Sequence, residues 1–243
     1  FAVSSSAGEA RNEAIERLAV QGRLRVGELR IATLRVQKVD AAVELAGRKL
    51  SVRSTQARFF EGRLESSFEA LLFADPTYTF RGRFDRVNLA ALAASTPSLD
   101  GHFAGVASGE LSLTAHGIGM ARLMGSLTGQ GDLRVREPVL RGLNFASTRP
   151  GGADPESPTE GGFTTAVGGF HIASGLIRID QLSLATRSQH FEIQGNINAG
   201  QQLDLRAWSA PHGDGAPGAD RQEWTIGGSL DAVAQDGSRR AIA

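Results

Sequence analysis

Residues 170–197 read FHIASGLIRIDQLSLATRSQHFEIQGNI. Ile177, Ile179, Leu182, Leu184, Phe191, Ile193 and Ile197 recur mostly at every second position, with Arg178, Asp180, Ser183, Arg187, Glu192 and Gln194 between them. A period of two sends alternate side chains to opposite faces, so the stretch predicts consecutive strands with one apolar and one polar face.

The same period extends upstream. RLRV, ELRI, TLRV and VDAAVEL follow Arg23, with register shifts at Gly27, around Thr33 and after Val36 that mark turns or bulges. AGRKLSVRS, TQARFFEGRLESSFEALLF and PTYTFRGRF continue an antiparallel meander punctuated by Gly47, Gly62 and Gly82. GHFAGVASGELSLTAHG reads as a further strand pair, and QGDLRVREPVLRGLNF as a long strand that Pro138 must bend or confine to an edge. The sheet resumes at Phe163, runs to about Leu205 and ends on EWTIGGSLDAV.

Helical spacing is brief. Ser5 or Ser6 can cap an amphipathic helix within residues 1–21. Asp85 can cap a short apolar helix in DRVNLAALAAST, and a third spans Met120 to Leu127. Residues 147–162 and 210–220 are rich in Pro, Gly and acids and predict polar surface loops within a domain over 22–234, with 235–243 as a tail. VELAGRKLSVRSTQARFFEGRLESSF and the opening stretch share an order of strand, Gly turn, strand, polar turn, aromatic, Gly, strand, in which Gly47 answers to Gly175, Leu50 and Val52 to Ile177 and Ile179, and Gly62 to Gly195.

Lys plus Arg equals Asp plus Glu at 26 each, so no overall charge draws the chain to nucleic acid. Without cysteine there is no disulfide scaffold, thiol nucleophile or zinc finger. No run approaches the roughly 18 apolar residues of a membrane helix. FAVSSSAGEA lacks an initiator Met and a charged segment ahead of an apolar one, which reads as a piece of a longer chain with any anchor upstream.

Chemistry is scarce. His102, His116, His171, His190 and His212 are scattered without metal-ligand spacing; His171 and His190 read as polar strand residues that could face each other across a hairpin. GIG at 117–119 has Arg122 at the third glycine position of a dinucleotide fingerprint and reads as a turn. No nucleophile elbow, P-loop or paired carboxylates stand out, so the expectation is a non-enzymatic protein without metal or cofactor. Asp180 with Arg178, and Glu192 with Arg187, read as ion pairs across strands. Ten cations between Arg23 and Arg63 exceed the acids there, which fits either a solvated strand face or contact with anionic lipid headgroups.

GRLRVGELRIATLRVQKVDAAVEL, LSVRSTQARFFEGRLESSFEA and the RVNLAALA helix, followed by LDGHFAGVASGELSLTAHG, ARLMGSLTGQGDLRVREPVLRGLNF and the block from Thr164 to Ala210, resemble in order the C-terminal region of AsmA-type proteins. Val233 and Ala234 stand where that family usually places a Pro, and Glu61 where a small residue is common. The resemblance implies a bacterial periplasmic protein anchored in the inner membrane by an upstream segment. Its curved antiparallel β-meander, with a few short helices, would form an open, taco-like groove that carries phospholipid toward the outer membrane. A one-faced sheet must be covered by a second sheet, by helices or by a non-protein guest, and a closed sandwich remains the competing geometry. On the groove reading, alternation assigns the lining to Leu24, Val26, Ile31, Val36, Val43, Leu50, Val52, Phe60, Phe68, Phe80, Phe103, Leu111, Leu113, Ile177, Ile179, Leu182, Leu184 and Ile193. The alternative function is a structural module of outer-membrane protein assembly that binds partners through free strand edges.

Overall fold

A computed structural model describes residues 19–31, 34–96, 100–101, 103–140, 146–147, 163–186, 189–198, 202–211 and 222–229. The alternating stretches become β1 (Ala19–Ile31), β2 (Leu34–Ala46), β3 (Lys49–Phe59), β4 (Gly62–Leu71), β5 (Thr77–Asn88), β6 (Phe103–His116), β7 (Thr128–Leu140), β8 (Ala146–Ser147), β9 (Thr165–Ala173), β10 (Leu176–Ala185), β11 (Gln189–Ile197), β12 (Gln202–Pro211) and β13 (Gln222–Ser229). Two short helices, α1 (Leu89–Ala93) and α2 (Met120–Ser126), interrupt them.

All thirteen strands belong to one sheet of order β1-β2-β3-β4-β5-β6-β7-β9-β10-β11-β12-β13-β8. Every neighbouring pair is antiparallel. The fold is therefore an open β-meander with two edges, mainly β as the alternation predicts, and no second sheet faces it among the described residues.

Strands are longer than the sequence divides them. RLRV and ELRI lie in one strand, in which the pairing to β2 steps over Gly27, and GHFAGVASGELSLTAHG forms β6 alone rather than a pair, because Gly105 makes a bulge instead of a turn. Asp85 is a strand residue; Asn88 caps α1 by accepting from the Ala90 and Ala91 amides at 3.0 and 3.2 Å. Pro138 sits in a strand paired on both sides, yet β9 begins opposite Arg136, so only β6 pairs with the last residues of β7 and the missing N–H is harmless. The expected helix within 1–21 lies outside the described residues up to 18, and Ala19–Gln21 belong to β1. Of the two loops, Ser147, Ala210 and Pro211 are strand residues, and 148–162 and 212–220 lie outside the described residues, as does the tail.

The sheet must curl. Six strand spacings of about 4.8 Å separate β7 from β8, about 29 Å if flat. The six residues from Leu140 to Ala146 reach about 22 Å when fully extended. The chain can leave β7 and pair with β13 only if the β9–β13 half bends back, and burial shows which face turns inward. Val87, Ala107, Val135, Ala166, Leu184 and Phe191 lie opposite one another across six consecutive strands. They form one buried cluster with Phe163, Ile193, Leu203, Leu205 and Ala207, and Ala207 is 0% exposed. A lone flat sheet cannot hide such a row, so this end is closed by curvature and by Leu89 of α1 and the Phe59–Phe60 pair.

Candidate functional site: the uncovered apolar face

Above the closed end, no helix or second sheet covers the same face among the described residues. One line of laterally paired residues crosses twelve strands as Gly22, Val43, Val52, Phe68, Phe80, Leu113, Gly129, Ile172, Ile177, Ile197, Leu203 and Gly228. None is polar. Val43, Val52, Phe68, Phe80, Leu113, Ile172 and Ile177 are only half-buried, and Leu24 on β1 is exposed. The larger buried cluster fills one end of this face and runs along β12 through Leu203, Leu205 and Ala207, and Ala70 is buried near the other end of β4; from β2 to β10 the line between them is a partly exposed apolar wall.

Glycines keep this wall low. A Cβ on Gly131 would lie 2.7 Å from the Phe170 ring, one on Gly109 2.9 Å from the Phe84 ring, and one on Gly82 2.8 Å from the Phe80 ring. The large side chains lie flat across neighbouring glycines instead of standing perpendicular to the sheet, which leaves depth above them.

Of the residues assigned to the lining from sequence, Leu24, Val26, Val36, Val43, Leu50, Val52, Phe68, Phe80, Leu111, Leu113, Ile177, Ile179, Leu182, Leu184 and Ile193 share this face by register, and Ile31 holds the same register on β1. They divide into two groups. Val36 is buried in a smaller cluster with Val39 and Ala57, against which Val26 packs; Leu184 and Ile193 are buried in the larger cluster, against which Ile179 and Leu182 pack; the remaining nine of the fifteen are half-buried or exposed. Phe60 is not on a strand: it occupies the β3–β4 turn at φ 43°, where its carbonyl accepts from the Asn88 amide at 2.9 Å. Phe103 lies beyond the bulges at Gly105 and Glu137, opposite Leu140. Sequence reading missed Leu133, Phe170, Ile172, Leu203 and Leu205, whose alternation was present but weakened by glycines beside them or by a neighbouring loop.

The opposite face is charged. Glu65, Arg83, Glu110 and Asp132 form a lateral row on it, and two open hollows of about 880 and 640 Å³ share these four residues as walls. Their walls carry carboxylates and guanidiniums that an acyl chain would have to desolvate, so these hollows suit a polar rather than an apolar guest. His171 and His190 do not face each other, since β10 lies between their strands. His171 hydrogen-bonds Asp180 through Nδ1, and His190 stands 3.6 Å from Glu192. Arg178 and Asp180 pair along one strand at 3.4 Å rather than across two, and Arg187 lies outside the described residues.

Many of the cations between Arg23 and Arg63 are matched. Arg23 grips Asp40 through Nε and an Nη at 2.6 and 3.0 Å, Arg30 pairs with Glu28 and Lys49 with Glu69. The hydrogen bond from Arg23, reinforced by its charge and that of Arg25 and opposed by partial desolvation, holds the Asp40 carboxyl below the usual carboxylate range. These pairs sit on the polar face as surface ladders. No family model matches the chain, and no curated protein matches it.

Proposed function

We propose that the chain is a phospholipid-carrying groove of AsmA type, working in the bacterial periplasm, held at the inner membrane by a segment upstream and passing lipid toward the outer membrane. The observation that carries this reading is the unbroken apolar line over twelve strands, partly exposed from β2 to β10 and floored by glycines. Soluble proteins seldom leave so large a contiguous apolar area to water unless it meets a ligand, partner or membrane. The resemblance of ordered sequence blocks supports the same assignment. Among the described residues the apolar face is built mainly of aliphatic, aromatic and glycine residues, which suits a physical role.

The energetics suit a conduit. Moving an acyl chain from water to the groove gains about 0.8 kcal/mol per methylene, but a lipid leaving a bilayer starts from an equally apolar place. Net affinity is small, while the barrier to carrying tails through water falls.

Gentle purification followed by lipid extraction and mass spectrometry tests the reading, with a β-sandwich of similar size as control. Phospholipid at roughly stoichiometric amount is the expected result, and a lipid-free protein refutes it. A second reading has its own observation: β1 is a thirteen-residue strand whose outer side has no partner among the described residues, whereas at the other edge β8 pairs with two residues of β13. An assembly module would use the β1 edge to add a strand from a partner in outer-membrane protein biogenesis.

A further inference from the structure

Five large apolar side chains in the described chain are more than half exposed: Val20, Phe73, Ile118, Met120 and Met124, from 52% for Val20 to 74% for Ile118. All five lie at one end of the strands, opposite the closed end. Val20 pairs with Leu45 just before the β2–β3 turn. Phe73 follows β4, Ile118 follows β6, and Met120 and Met124 belong to α2.

Polar contacts join the connections at this end into one surface. The Leu72 amide donates to the Arg48 carbonyl at 2.8 Å, and the Arg48 guanidinium lies 5.6 Å from the Phe73 ring centre. The Gly117 amide donates to the Pro76 carbonyl at 2.9 Å, and Arg122 pairs with Asp75 at 3.4 Å. Ser126 accepts from the His116 amide through Oγ and donates back to the His116 carbonyl, pinning the end of α2 to β6. Ser174 of the β9–β10 turn donates to the Leu127 carbonyl. The exposed side chains are therefore presented by a braced rim.

We propose that this rim docks on the surface of a phospholipid bilayer, with Phe73, Ile118, Met120 and Met124 entering the headgroup–acyl boundary. Unbranched Met and planar Phe suit a fluid surface, and Arg48 and Arg122 stand beside them at headgroup depth. Acids at the rim are held by cations, Asp75 by Arg122 and Glu69 by Lys49, so little charge repels phosphate and little net charge attracts it. Insertion is driven by apolar area rather than by coulombic adsorption. This contact is a property of the turns and does not require the groove to hold lipid.

The test is flotation of the full chain with vesicles of pure phosphatidylcholine, and of phosphatidylcholine with one fifth phosphatidylglycerol. Binding to both is expected, with at most a few-fold gain from the anionic lipid, and the triple change Ile118→Ser, Met120→Ser, Met124→Ser weakens it about tenfold or more. Phe73→Ser weakens it in the same direction. Val167→Ser, an exposed apolar residue away from the rim, leaves it unchanged. Failure of the native chain to float, flotation only with anionic vesicles, or undiminished flotation of the triple variant overturns the proposal. A rim that instead captures a protein and ignores vesicles overturns it as well. Lipid extracted from each variant is measured in parallel: loss of flotation with cargo retained separates the rim from the groove, and flotation without any cargo refutes the groove alone.

Discussion

Val52 on β3 and Ile179 on β10 occupy equivalent places: each is the fourth residue of its strand, each faces the apolar side, and each is followed by two residues without a partner on the next strand, β4 or β11, before that ladder resumes at Thr55 and Leu182. Their surroundings differ. Val52 is half-buried outside both buried clusters, whereas Ile179 packs against the larger one. A charge at the two positions therefore asks two questions.

Val52→Asp is expected to remove co-purifying phospholipid while keeping the β circular dichroism and a melt within about 1 kcal/mol of the parent. Ile179→Asp should also remove lipid, but at a stability loss of about 2–4 kcal/mol, since a carboxylate there is partly desolvated against the core. Lipid retained in folded Val52→Asp would show that the wall is not the site.

Truncations separate the closed end from the open wall. Leu184→Ala, at a site only 2% exposed, should cost about 2–5 kcal/mol in urea unfolding. Leu113→Ala, on the half-exposed line, should cost about 1 kcal/mol. Equal losses would mean that the wall is covered in solution, as in an ordinary core.

The equivalence of Val52 and Ile179 also shows what the sequence could convey. The internal echo paired Gly47 with Gly175, and both end in turns at positive φ at the same end of the sheet. Alternation carries face and period because side-chain direction is a local property of a strand. The final pairing of the echo fails, since Gly62 begins β4 while Gly195 sits inside β11. Strand length is hard to read where the pairing steps over Gly27 and where Gly105 makes a bulge, because a glycine supplies a turn or an irregularity within a strand with the same local conformations. Curvature was illegible: it depends on β8 reaching β13, a pairing of two residues with no period to detect. For the same reason Leu184 and Leu113, alike in sequence, fell into one group although only the first is buried.

Glycines on the apolar face make a paired prediction. The atoms nearest a methyl at Gly82 are side-chain atoms, of the Phe80 ring at 2.8 Å and of Leu64 at 3.5 Å, so Gly82→Ala should fold with a loss of about 1 kcal/mol as the ring tilts upward. It should reduce the amount of lipid carried. Gly109→Ala instead drives its methyl into the Asp132 carbonyl, which cannot move without breaking the ladder, and should lose about 1–3 kcal/mol. Thermal melts with lipid mass spectrometry distinguish the two.

The Arg23–Asp40 pair gives the pH dependence. The folded-state titration of Asp40 lies below that of an unfolded carboxylate, because Arg23 hydrogen-bonds the ionised form and Arg25 adds charge. Its contribution to folding is present above the unfolded value and is lost as pH falls through the folded one. Both side chains are solvent-accessible, so screening keeps the effect small and salt should reduce it further. Carbon-detected NMR titration should place Asp40 below the ordinary aspartate range, and Arg23→Ala should return it toward that range with little change in melting temperature. An Asp40 that titrates normally in the native chain would show that the bidentate contact is not populated in solution, and would leave the polar side of β1 and β2 as independently solvated charges.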